Sequence, residues 1–288
     1  MKNEEWSTIV NEYTNNKMIP KKIRDCYDSI KKISESVGLS RPFLISNSMI
    51  FLHKYLIYNF FKSANFFTAN TNNNFLNICI SCFFITTKST GYTTHLNVIL
   101  DNLLKKNVYL EKNIDKNEIF LYEYDILSAI GFNLENDLPY KYAKYIWEDL
   151  EKLLINKNIK INIIKEIKEK WNCFILYSYL FPFFLKFDAS IIALANLKII
   201  LEYFDIEINL SEIISSHKEF EFTSYKEVEV CSTLIDRLII NNDILFNINN
   251  KHEIGVKNAD NQFNNIIKIN WNESNNSLKK ESNENKNQ

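Results

Sequence analysis

Few residues in this chain of 288 are spaced for chemistry on a small molecule. Cys79-Ile80-Ser81-Cys82 is a CxxC, the spacing of a thiolate metal site or a redox pair. A metal would need a second ligand pair, and none lies nearby. A redox motif would need a strand-to-helix turn, whereas FLNICISCFFITTK, which contains the CxxC, has the composition of an apolar helix. Core packing accounts for both thiols, because a free Cys behaves as a small hydrophobe. His53, His95, His217 and His252 never fall at i, i+4 with one another or beside a paired acid, so zinc or nucleophile–base chemistry has no support. Four scattered glycines make no phosphate loop. The chain is therefore not expected to be an enzyme, and no cofactor, metal or small-molecule ligand is expected.

What remains is a pair of charges. Lys88 is the only charge in FLNICISCFFITTK and stands at its end. Glu123 lies in EYDILSAIGFNL, where Leu127, Ile130 and Leu134 follow at helical or near-helical spacing and Gly131 lets the chain turn. Taken singly, such a Lys is commonly a charge complementing the C-terminal end of a helix dipole, and such a Glu is usually solvated.

Helices must position them. Pro20 opens one through about Val37, stopped by Gly38. Ser40 reads as an N-cap with Pro42 in the first turn, and that helix runs to about Lys62 with Leu44, Ile45, Met49, Leu52 and Leu56 on its buried side. Residues 68–74, TANTNNN, read as a loop. Helices near 75–88, 93–106, 115–131 and 139–155 complete a first bundle of five, with Pro139 in a first turn where its missing N–H costs nothing. Beyond a Lys/Asn-rich link at 156–160, helices near 162–183, 188–204, 209–216 and 224–241 suggest a second bundle. FLNICISCFFITTK and ASIIALANLKII have the small-residue, all-round apolar character of a central bundle helix, so the two halves read as a tandem repeat.

Composition agrees. Apolar residues make up 46% and charged residues 24%, a globular balance, and only four Gly and four Pro interrupt it. The formal charge is −1, with three Arg among 34 basic residues, which argues against a nucleic-acid surface. Five cysteines without framework spacing, no signal-like N-terminal segment and no long charge-free apolar run lead to the expectation of a reduced, unanchored protein inside the cell.

The segments holding Lys88 and Glu123 resemble the two halves of a cyclin box. His53 to Lys62, HKYLIYNFFK, is similar to the first-helix signature of cyclins working in transcription, where a His-Arg-Phe-Tyr run precedes Ser-Phe-Lys. Here Lys54, Tyr55, Leu56 and Phe60 replace Arg, Phe, Tyr and Ser. Asp137-Leu138-Pro139-Tyr140 followed by YAKYI resembles the start of the last box helix in the K, T and L types. Trp171 to Ile200 resembles the second repeat of the same group, and together these matches span roughly residues 20–240. The resemblance implies an all-α fold of tandem five-helix cyclin-box repeats. Its divisions would be 1–19 as a flexible N-terminus, 20–155 as the first box with its preceding helix, 156–245 as the second box, and 246–288 as a disordered low-complexity tail.

It also implies a function, a regulatory subunit that binds and allosterically activates a cyclin-dependent serine/threonine kinase in transcription or RNA processing. The setting would be nuclear, possible also in the cytoplasm, with no direct nucleic-acid or membrane partner. Lys88 would donate to backbone carbonyls of the kinase and Glu123 would accept from its backbone amides. Ile85, Leu127, Phe132 and Leu134 would form the apolar seat, with Tyr92 in the loop beyond Lys88. A cyclin-fold adaptor that activates no kinase is the alternative. Two departures stand out. The family follows the lysine with Val-Glu-Glu where this chain has Ser89-Thr90-Gly91-Tyr92, and His217-Lys218 stand near the place of a paired Trp. Arg41-Pro42-Phe43-Leu44 has the spacing of a degradation signal but lies at the start of a packed helix. Phe263 to Trp271 is an apolar patch in the tail, with unstructured and docking-peptide readings both open.

Overall fold

A computed structural model describes residues 3–15, 18–62, 72–92, 94–106 and 114–240, and none of them forms a strand. The helices are α1 (Asn3–Asn15), α2 (Met18–Ser36), α3 (Pro42–Lys62), α4 (Asn72–Ser89), α5 (Leu96–Lys105), α6 (Lys116–Ala129), α7 (Pro139–Asn156), α8 (Ile161–Tyr177), α9 (Ala189–Tyr203), α10 (Leu210–Ser216) and α11 (Tyr225–Ile235). The tail from 246 and its Phe263–Trp271 patch lie outside the described residues, as does most of the 68–74 segment.

Local chemistry explains the ends. Asp115 caps α6, its Oδ1 accepting from the N–H groups of Asn117 at 2.8 Å and Glu118 at 3.4 Å. Pro42 and Pro139 each occupy a first helical position. The carbonyl of Arg41 receives the first bonds of α3, from Leu44 at 3.0 Å and Ile45 at 3.3 Å, so the cap is Arg41 and not Ser40. The helix expected over 162–183 ends at Tyr177 and gives way to 3-10 turns at Ser178–Leu180 and Phe183–Leu185. Pro182 is the cause, since it pushes the residue before it out of the helical region, and Phe181 is extended at φ −132°, ψ 145°.

Two central helices organise the core. α4 is buried continuously from Phe75 to Thr87 and packs against α2, α3 and α6. α9 is buried over nearly its whole length and packs against α7, α8 and α11. Small residues let these neighbours approach. Ser48 Oγ of α3 donates to Thr86 Oγ1 of α4 at 3.0 Å, and Trp171 Nε1 of α8 donates to the Ala193 carbonyl of α9 at 3.0 Å. Cys79 and Cys82 are fully buried in α4, and burial holds the Cys82 thiol well above its ordinary pKa, which suits packing and not redox chemistry.

Two expectations need correction. Residues 3–15, expected to be loose, form α1, which buries Trp6 and Ile9, and the Trp6 ring meets Phe181 edge-on at 5.7 Å and Phe187 at 6.4 Å. Residues three apart share a helix face, and this short apolar stripe finds its cover far away in sequence. The second concerns α7, expected to close the first bundle. Its buried face of Ala143, Ile146, Trp147, Leu150 and Leu154 packs chiefly on α9 and α8, with the Trp147 and Trp171 ring centroids 6.2 Å apart.

Polar contacts pin the halves together. His53 on α3 is fully buried and its Nε2 lies 2.8 Å from the Tyr179 carbonyl. A carbonyl only accepts, so that nitrogen carries the proton. Lys54 Nζ donates to Asn136 Oδ1 at 2.9 Å, and Asn136 Nδ2 to Asn47 Oδ1 at 3.1 Å. Burial pushes the His53 pKa down from 6.5 to about 4. The folded protein therefore keeps His53 neutral where the unfolded chain protonates it. Its stabilising contribution is complete above pH 6.5 and is lost as pH falls towards about 4, on the order of 3 kcal/mol in all. Urea midpoints measured across that window should drop less steeply for His53→Gln than for the parent. Parallel curves would show that His53 is not buried as described.

Candidate protein-docking face

α4 and α6 lie side by side, held in register by polar ties. Asn77 Nδ2 donates to Glu118 Oε2 at 2.7 Å, and Ser81 Oγ to the Ile119 carbonyl at 2.9 Å. At the far end of α4, Lys88 Nζ pairs with the Glu123 carboxylate and lies 3.9 Å from the centroid of the Phe84 ring. Residues 35 apart in sequence thus form one charged pair. The Lys88 side chain is 47% exposed and that of Glu123 14%.

α6 and the turn after it also expose apolar groups. Ile119 and Ile126 face the core, so Phe120, Leu121 and Tyr124 point outward, 45%, 67% and 66% exposed. Leu127 is half-buried beside them. After α6 the chain turns through Gly131 at φ 61° and Phe132 at φ 56°, with the Phe132 N–H donating to the Leu127 carbonyl at 2.8 Å. A left-handed conformation is natural for Gly131 and strained for a bulky Phe. The Phe132 ring is 63% exposed and Leu134 37%.

Among the expected site residues, Lys88 and Glu123 are in contact, Leu127 is half-buried on α6, and Phe132 and Leu134 are exposed in the segment after it. Ile85 does not reach the surface, being 2% exposed in the core beneath. Tyr92 is half-buried, its ring 5.8 Å from Phe43 and 5.0 Å from the Arg41 guanidinium carbon. Phe120, Leu121 and Tyr124 are additions to the expected set. Their signal was in NEIFLYEYDIL, where Ile119 and Ile126 at i, i+7 define an inner face and leave these three on the other. Gly91 at φ 78° stands just beyond the end of α4 as a helix stop.

No protein-family model matches the chain, and no curated protein sequence does. Its three-dimensional structure is similar to solved ones. One is a chain of the yeast RNA polymerase II CTD kinase CTDK-1 complex, 16% identical with a TM-score of 0.64, covering 88% of this chain and 76% of that one. Another belongs to the yeast TFIIK (Kin28/Ccl1/Tfb3) complex, at 14% identity, TM-score 0.55, 82% of this chain and 94% of that one. A third is in the CAK complex from Chaetomium thermophilum bound to ATP-gamma-S, at 10% identity, TM-score 0.56, 89% of this chain and 77% of that one. The fold is cyclin-like.

On this cyclin-like frame the remaining candidates take structural places. Leu44 is fully buried and Arg41 stacks on Tyr92, so the degradation-signal spacing at 41–44 is not presented by the folded chain. His217 stands in a contact with Asp149, Nε2 to Oδ2 at 3.3 Å, and edge-on to Phe220. Among the described residues no group of three or more His, Cys, Asp or Glu could hold a metal, and no helix is long and apolar enough to cross a membrane.

Proposed function

We propose that this chain is the regulatory subunit of a cyclin-dependent serine/threonine kinase, acting in the nucleus in transcription or RNA processing. The observation that carries this is the Lys88–Glu123 pair joining α4 and α6, with Phe120, Tyr124, Phe132 and Leu134 exposed on α6 and the segment after it. The likeness in fold to chains of kinase complexes supports it, two of which are named for transcription machinery. The mechanism is allosteric. The regulatory helix of the kinase lies on α4 and α6, its apolar side against Leu127, Phe132 and Leu134. Lys88 donates to its backbone carbonyls and Glu123 accepts from its backbone amides. Docking stabilises the active position of that helix and so completes the kinase's own lysine–glutamate pair on the ATP phosphates.

The first repeat would then comprise α2 to α6 and the second α7 onward, because α7 packs on α8 and α9. The test is to purify this chain with its natural partners and assay the eluate on a serine/threonine peptide. Kinase activity that tracks with the chain supports the proposal. A bound kinase with unchanged activity would mark an adaptor, and no bound kinase would overturn both readings.

A further inference from the structure

The hairpin of α7 and α8 carries a second surface, distinct from the face formed by α4 and α6. From Lys152 to Lys165, KLLINKNIKINIIK holds four lysines and no Asp or Glu, in a chain whose formal charge is −1. Lys152 is held by Asp149 at 3.0 Å. Lys157, Lys160 and Lys165 are exposed and form no ion pair among the described residues. Between them stand Leu153, Ile155 and Ile161, 39%, 52% and 54% exposed. Leu154 and Ile164 already fill the inner side of the hairpin, so the outer aliphatics serve no packing of its own.

The tip is preformed. Asn158 takes the left-handed conformation at φ 59°, and its N–H donates to the Ile155 carbonyl at 2.8 Å, while the N–H of Ile159 donates to Leu154 at 3.0 Å. Asn tolerates that geometry well. Binding here would order little, which lowers its cost.

We infer that this tip docks an acidic segment of a partner protein that also carries aliphatic or aromatic side chains. Negative charge would complement the three lysines, and apolar side chains would complement the exposed aliphatics. The extent of the patch selects a peptide. Glu148, Asp149 and Glu151 on α7 and Glu166 and Glu169 on α8 bound it, so a membrane plane or a duplex would bring phosphates against carboxylates. The stretch contains no Arg to clamp phosphate in two-pronged fashion and no aromatic ring to stack on a base. Lysines on flexible stems steer the encounter, and Ile155 and Ile161 supply the desolvated centre.

The test immobilises the full chain and selects from a display library of short random peptides, with a single-stranded RNA and phosphatidylserine vesicles as separate probes. Enriched peptides should be acidic with interspersed apolar residues. The tightest of them should lose about tenfold or more in affinity on Lys157→Glu with Lys160→Glu, lose as much on Ile155→Ser with Ile161→Ser, and weaken as salt rises. Both double variants should keep the parent's helicity and thermal midpoint, since all four side chains are exposed. Peptides without acidic excess, or binding that both variants retain, would overturn the inference. Binding of RNA or vesicles that the Lys157→Glu, Lys160→Glu variant loses would overturn it equally, by assigning the patch to nucleic acid or lipid.

Discussion

Replacing Lys88 or Glu123 with Ala is expected to weaken kinase association by about 2–5 kcal/mol, roughly thirty-fold to several-thousand-fold. In the free chain each charge is the other's partner. Once a partner helix covers Phe120, Tyr124, Phe132 and Leu134, water is excluded and the pair must bond across the interface. Removing one member then leaves the other enclosed and unmatched, a far larger loss than an exposed ion pair would suffer. The fold should be nearly untouched, because neither side chain belongs to the buried core. Titration calorimetry with the kinase, alongside thermal midpoints of the free variants, reads both effects. Variants that bind and activate as the parent does would place the interface elsewhere.

Trp171→Ala should cost about 3–5 kcal/mol of stability, the range for deleting a large buried aromatic. Trp171 is 1% exposed, lies against Trp147 of α7 and donates to the Ala193 carbonyl of α9, so one truncation opens a cavity among three helices. Trp171→Phe keeps much of the volume and loses the hydrogen bond, with an expected cost nearer 1–3 kcal/mol. Denaturant midpoints decide the matter. A parent-like midpoint for Trp171→Ala would mean that α7, α8 and α9 do not converge on this ring.

Both variants show which parts of the molecule were legible beforehand. The central helices were, since an element apolar all round with Ser, Ala, Thr and Cys can stand only in the middle of a bundle. So were the starts at Pro42 and Pro139 and the stop at Gly131, which depend on one residue's own backbone. Partner choice between helices was less legible. The polar composition of α1 gives little sign of a core helix, and Phe181 and Phe187, which cover its Trp6, lie far along the chain. α7 packs on α8 and α9 and not in the first bundle, and its amphipathic face shows that it packs without showing on what.

The candidate face was legible in its charges and incomplete in its apolar part. Lys88 and Glu123 were found as a pair, and the structure brings them into contact. Ile85 belongs to the core and not to the face, and near the end of an all-apolar helix the sequence does not say which flank is covered. Phe120, Leu121 and Tyr124 are hidden in the sequence because hydrophobic spacing marks the inner residues of a helix. The strained backbone at Phe132 is a property of φ, and no residue type announces it.

The measurement that bears most directly on the account is the activity of the separated kinase subunit with and without this chain added back. The account predicts low activity alone, strong stimulation by the parent chain, and loss of that stimulation with Glu123→Ala at concentrations that saturate the parent. Equal activity in all three conditions would contradict it.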